Sequence, residues 1–260
     1  QSTLSIWKVT AIGTPDTWTQ QSLGTYYPYR IAPGLNRLFA VNKTGLLKNV
    51  STALDPIDGS QYADSVQCGR TYTNPTALVA YDRTAFVGKP EGLYGVDVDG
   101  YGVPLITRMV YNTNNCLGTG NHDPRVLIHH SRGLYSFVPW DVMDAGIERE
   151  LIDESPLVGG VINAVEPDGQ YVYASMPIST NTYILVARPR QDNEPGFGPY
   201  IWDTLLYLTA ACKSLRMSTA TSPHRLWFGH GNDVAYVKMS GDYAIAGSRW
   251  TPRMNFDDWG

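Results

Sequence analysis

Residues able to do chemistry are few in this chain, and they are scattered. Asp97-Val98-Asp99-Gly100 has the start of a calcium loop. Such a loop needs further oxygen ligands at set spacing and a closing glutamate. Tyr101, Gly102, Val103 and Pro104 follow instead, so the stretch reads as a turn, where Asp and Gly are favoured. His129 and His130 are adjacent, and in a strand they point to opposite faces, so they do not easily share a metal. His122-Asp123 and His230 sit near turns, without a His-Glu-x-x-His motif or a strand-spaced His pair beside a carboxylate. There is no Gly-x-Ser-x-Gly elbow and no Cys in an activating context. The carboxylate pairs Asp55/Asp58 and Asp257/Asp258 are loop residues; a glycosidase would need such groups converging at strand ends. This inventory predicts no catalytic residue, no metal and no cofactor.

The totals narrow the class further. A chain of 260 residues suits one large all-β domain or two small ones. With a net charge of −4 and only 17% charged residues, no strong field draws nucleic acid or an anionic membrane. The apolar runs are short, as in Ala77–Tyr81, so no membrane span is expected, and no basic-then-apolar signal opens the sequence. Cys68, Cys116 and Cys212 fit neither a zinc spacing nor a disulfide framework; at most one pair could bridge, and three free thiols are expected. The 17 Tyr and 7 Trp favour pleated structure, and the 25 Gly and 17 Pro, spread along the chain, mean frequent turns.

The elements that must position these residues come from a repeat. The segments 38–47, 85–94, 126–135 and 226–235 align without gaps: an apolar run, four mostly polar residues, a Gly or Asp, then a second apolar run. A fifth copy with a longer turn spans 171–187. Each reads as a β-hairpin. The aligned positions Gly45, Gly92, Gly133, Asn181 and Asp233 are spaced by 47, 41, 48 and 52 residues. Gly, Asn and Asp tolerate φ > 0 best, so one turn geometry is expected at all five. Further strand-like segments lie at 75–82, 104–111, 159–167, 200–208 and 213–219, with another at 244–254 after the last hairpin. About four strands per period of this length is the signature of a propeller. The expectation is a single all-β β-propeller domain over 1–260, of five blades of about four antiparallel strands. Its N-terminal strand, within 4–10, is expected to close the ring beside 248–256. Residues 141–153 are the main helical candidate, capped by Asp141 with Glu148 and Arg149 exposed, or a strand pair turning at Asp144 to Gly146. The clearest long loops are 112–124 and 188–199.

The hairpin halves Gly92-Leu93-Tyr94-Gly95-Val96-Asp97 and Gly133-Leu134-Tyr135-Ser136-Phe137-Val138 resemble sensor-type propeller repeats, in which Gly-Leu-Tyr begins the strand after the turn. The Gly-His and Trp-Asp signature of WD40 blades is lacking, and so is the Ser-x-Asp-x-Gly-x-Thr-Trp box of sialidases. In overall style the chain also resembles structural proteins of tailed-phage virions: irregular blades, many Tyr and Asn, Thr-rich loops, few charges and few thiols. That resemblance implies a non-enzymatic component of a tail or capsid surface. It would be located in the virion, dock to other subunits in a symmetric oligomer, and otherwise be soluble.

In a propeller, equivalent hairpin turns lie on one face. This places Lys43, Lys89, Glu91, His130, Arg132, His230 and Asn232 in one ring of turns, a candidate binding surface. The residue types differ from blade to blade, which suits an irregular protein surface, or no function on that face, better than a repeated small-ligand pocket. Tyr200 and Trp202 could stack sugar rings, although aromatics in strands more often pack blade against blade. The residues therefore leave two alternatives open. One is a carbohydrate- or receptor-binding lectin-like propeller engaging a host-surface glycan, and the other is a glycoside-acting enzyme. Asn42 and Asn49 head Asn-x-Ser/Thr sequons, a short and common motif.

Overall fold

The computed structural model describes residues 6–11, 17–21, 26, 28–34, 36–51, 63–81, 83–97, 102–122, 125–130, 133–138, 141–145, 147, 161–191, 194, 198–218 and 222–239. Two compact units divide the chain, 1–116 and 117–260. Every described element is a β-strand.

The first unit opens with a two-stranded sheet, β1 (Ile6–Ala11) and β2 (Thr17–Gln21). A four-stranded antiparallel meander follows: β3 (Pro28–Gly34), β4 (Arg37–Asn42), β5 (Leu46–Ser51) and β6 (Ala63–Gln67). Next comes a second meander of β7 (Ala77–Tyr81), β8 (Thr84–Lys89), β9 (Gly92–Asp97) and β10 (Gly102–Arg108). The second unit repeats the plan. One sheet holds β11 (Thr119–His122), β12 (Arg125–His130), β13 (Gly133–Val138) and β14 (Asp141–Asp144). Another holds β15 (Ala164–Pro167), β16 (Val172–Ile178), β17 (Asn181–Pro189) and β18 (Tyr200–Leu208). The last has three described strands, β19 (Leu215–Ser218), β20 (Arg225–His230) and β21 (Asp233–Lys238).

All five expected hairpins form, as β4–β5, β8–β9, β12–β13, β16–β17 and β20–β21. The shared turn geometry does not. Among the five aligned positions Gly45 alone has φ > 0, at 94°, in a three-residue turn. Gly92, Gly133, Asn181 and Asp233 instead open the second strand of their hairpins. In the two hairpins of the second unit whose turns are described, the left-handed residue falls two places earlier, at Ser179 (φ 59°) and Gly231 (φ 63°). Where a two-residue turn uses a left-handed residue it can stand at the first position, as in type II′ turns; the Pro90–Glu91 turn between β8 and β9 uses none.

The N-terminal strand pairs with its sequence neighbour, Ile6 opposite Gln21 and Trp7 opposite Gln20; the residues 248–256 expected beside it lie outside the described residues. A local hairpin closes a short loop, which costs less entropy than a ring closure across the chain. Of the two readings of 141–153, the first strand of the strand pair is the one that forms: Asp141–Asp144 pairs with Val138–Tyr135 and is not a helix start; Glu148 and Arg149 lie outside the described residues. The long loop at 112–124 contains β11, which pairs with β12 from Thr119 to His122. The expected strand at 244–254 and the turn at Val98–Gly100 also lie outside the described residues.

Each unit has its own core between consecutive sheets. In the first, Phe39, Val41 and Leu47 of one meander meet Ala85, Val87, Tyr94 and Val96 of the next, with Cys68 between them. In the second, Trp202, Tyr200, Leu185 and Met176 pack on Leu127, Leu134 and Ile147. A further cluster joins Tyr173, Ile184 and Val186 to Leu215, Leu226 and Phe228. β8 and β9 are buried on both faces, which is why they read as unbroken apolar runs rather than alternating ones. The first unit's two meanders approach so closely that a Cβ on Gly34 would lie 2.6 Å from the Cβ of Ala80. Gly34→Val is expected to lower the unfolding free energy by about 1–3 kcal/mol through overpacking, measured as a reduced urea midpoint at unchanged slope.

Candidate functional site

A group of polar side chains meets around the β8–β9 turn. Lys89 ends β8, Pro90 and Glu91 make the turn, and Gly92 starts β9. Lys89 is fully buried and Glu91 nearly so. The Lys89 ammonium donates to the carbonyl of Thr44 in the β4–β5 turn (3.2 Å) and to the carbonyl of Arg70 in the β6–β7 connection. Burial pulls its pKa below the ordinary lysine value, opposed by the negative charge of Glu91. Glu91 Oε1 accepts from the amide of Arg70 (3.0 Å) and lies 3.0 Å from the Thr73 hydroxyl. Tyr94, whose hydroxyl is 3.5 Å from the same oxygen, is pushed up to about 12, by burial first and then by Glu91. Glu91 Oε2 is buried without a hydrogen-bond partner.

The same turn uses its backbone as well. The carbonyl of Glu91 accepts from the amide of Met109 (3.1 Å), and that of Pro90 from the amide of Asn112 (3.1 Å). Asn115 Nδ2 donates to Pro90 O (2.8 Å) and to Val110 O (2.9 Å). Two connections, 68–74 and 109–115, are therefore fixed to one turn. This is chemistry of holding: the lysine and the glutamate saturate main-chain groups that have no strand partner.

The second unit buries histidines instead. His129 Nδ1 lies 2.9 Å from the carbonyl of Gly133, so it carries the proton in that contact, and Nε2 is buried without a partner. Burial pulls the His129 pKa down to about 4, and that of neighbouring His130 down as well. His122 Nδ1 shares a hydrogen bond with the Tyr200 hydroxyl (3.0 Å). The three cysteines are free and buried; burial pushes Cys68 and Cys116 up to about 12 and raises Cys212, the reverse of activation. Among the described residues no group of three or more His, Cys, Asp or Glu is placed to hold a metal, and no helix is long and apolar enough to cross a membrane.

The residues expected in the ring of turns have different fates. Lys43 is exposed beside Thr44, with its ammonium 5.8 Å from the centre of the Tyr29 ring. Lys89 and Glu91 reach the same end of the unit but face inward, because the main-chain groups around them need partners. His130 and His230 are half-buried and Asn232 is exposed; Arg132 lies outside the described residues. Tyr200 and Trp202 do not present a stacking surface. Both are buried, and Trp202 Nε1 donates to the carbonyl of Ala145 (2.7 Å). Packing of β18 against the neighbouring sheet uses the whole of both rings. Sequence reasoning missed Arg70, Thr73 and Glu166, since none stands in a periodic run. Glu166 of β15 accepts from the amide of Met217 in β19 (2.9 Å), and burial raises its pKa.

No family model and no curated protein matches this sequence. Solved structures with a similar fold include a chain of the mitotic checkpoint complex, at 7% identity and a TM-score of 0.55, covering 84% of this chain and 63% of that one. Another is a chain from an S. cerevisiae complex in which a Dbp5 variant is bound to Nup159, a Gle1 variant, IP6 and ADP. It has 7% identity and a TM-score of 0.51, covering 81% of this chain and 59% of that one. A third is the WD40 β-propeller domain of Doa1, at 10% identity and a TM-score of 0.49, covering 90% of this chain and 85% of that one. The chain thus spans less than two thirds of the first two, and at these identities the likeness is one of fold alone.

Lys89→Met keeps the stem and removes the ammonium. It is expected to cost about 1–3 kcal/mol, since the carbonyls of Thr44 and Arg70 each lose a hydrogen bond from a charged donor, and to speed amide exchange at Arg70 and Thr73 by NMR. His129 supplies a pH dependence. Its folded pKa of about 4 lies below the ordinary 6.5, so the unfolded chain takes up the proton first. Its contribution is complete above pH 6.5 and is lost as pH falls towards 4, by up to about 3 kcal/mol. Urea unfolding across that window should show a shallower pH slope for His129→Gln than for the native chain.

Proposed function

We propose that this chain is a non-enzymatic structural and interaction protein that docks to other subunits and presents its loops from a rigid frame. Its setting is a tailed-phage virion, at the tail or capsid surface, within a symmetric assembly. One observation carries the reading. Among the described residues, Lys89, Glu91, His129 and the three thiols are all buried. Large apolar side chains instead stand out on turns, connections and outer strands, among them Tyr72, Val110, Tyr111, Val234 and Tyr236. Solvent-facing aromatics on short, tethered segments suit protein contact better than turnover.

On this reading the five sheets of three or four strands are the blades of a five-bladed propeller. The repeat of 41 to 52 residues and the consecutive meanders support it. Two of the similar folds come from multiprotein complexes, which agrees with a docking role. The virion setting rests on the style of the sequence alone.

The test is where the native chain resides. It is expected to sediment with a particle at fixed stoichiometry through a density gradient, and the recombinant chain to hydrolyse none of a panel of aryl glycosides. A native chain found free of any assembly, or steady glycoside turnover, would sink the reading.

A further inference from the structure

Three of the four exposed large hydrophobics described in the first unit flank the β8–β9 turn: Tyr72 is 75% exposed, Val110 80% and Tyr111 56%. Tyr72 sits between Arg70, whose amide and carbonyl are held by Glu91 and Lys89, and Thr73, whose hydroxyl meets Glu91 Oε1. Val110 and Tyr111 sit between Met109 and Asn112, whose amides are held by the carbonyls of Glu91 and Pro90. One turn therefore fixes the backbone on both sides of all three. The Arg70 guanidinium is exposed, lies 5.7 Å from the centre of the Tyr72 ring, and makes no ion pair among the described residues.

We propose that Arg70, Tyr72, Val110 and Tyr111 form a docking surface for a segment of another protein that carries an acidic side chain among apolar ones. Tyrosine and arginine are the residue types that most often dominate binding energy at such surfaces. The carboxylate of the partner pairs with Arg70, which has no ion pair among the described residues, and its apolar groups cover the two tyrosines. Because the connections are already tied down, little backbone entropy is lost on binding. The whole chain carries a net charge of −4, so a distinct partner with its carboxylate placed against Arg70 fits better than a second copy. Lys89 and Glu91 are positioning residues here: they touch no partner and hold the segments that do. The inference rests on the docking role proposed above and names the surface and the partner chemistry.

The experiment pans a random twelve-residue peptide display library against the full-length chain, then measures the best peptides by fluorescence polarisation. Enriched sequences are expected to combine Asp or Glu with aromatic or aliphatic residues. Tyr72→Ala and Tyr111→Ala should each weaken binding at least about tenfold. Arg70→Glu should abolish it and Arg70→Lys should restore part of it, with the urea midpoint unchanged throughout. Peptides that bind all variants equally, or enrichment without acidic residues, would overturn the proposal. So would self-association lost on Tyr72→Ala, which would assign the surface to a second copy, or binding on a glycan array lost with the same variant. Assembly of the Arg70→Glu chain into the native particle separates the two readings. Normal incorporation removes this surface and leaves the structural role standing, whereas absence of the native chain from any particle removes the role itself.

Discussion

Side chains that reach across to a neighbouring main chain hold this protein together sheet by sheet. Each antiparallel meander is laddered within itself, and among the described strands consecutive sheets share no strand ladder. Apolar contact alone would let two sheets slide, since burial is not directional. The structure fixes the register with polar ties within each unit. In the first, Lys89 spans from β8 to the carbonyls of Thr44 and Arg70. In the second, Trp202 reaches the carbonyl of Ala145, Glu166 receives the amide of Met217, and Thr182 Oγ1 receives the amide of Cys212. Each tie joins the end of a strand or a connection to the sheet next to it.

Such ties commit titratable groups to the interior. Lys89 sits at a depressed pKa and Glu166 at a raised one, so each sacrifices some charge stability for the hydrogen bonds it makes. His129 is kept neutral beside the Gly133 carbonyl. Perturbed values of this kind often gather in clefts. Here they mark seams, because the polar partners are main-chain atoms with fixed positions.

The architecture was readable because a hairpin leaves a local signal. The five apolar-turn-apolar copies are all present, and the run at 200–208 is β18 residue for residue. β6 was not readable. Its sequence, Ala-Asp-Ser-Val-Gln, has one large apolar residue, and its pairing with β5 is a tertiary decision. β11 was hidden in the same way behind Thr-Gly-Asn-His, a composition that local rules assign to loop. Side-chain direction was not readable for a different reason. Turn position says which end of a sheet a residue occupies, but not whether its side chain turns outward. Lys89 and Glu91 look like solvated turn residues until the carbonyl and amide of Arg70 that they bind are placed beside them. Tyr200 and Trp202 look available until the facing sheet is placed against them.

The cysteines have a practical consequence. Cys68, Cys116 and Cys212 are at most 1% exposed, and two of them are held near 12 by burial. A maleimide or a mild oxidant meets almost no thiolate on the folded chain. The native protein is thus a silent background for labelling, and a single cysteine introduced on any turn would report from that turn alone.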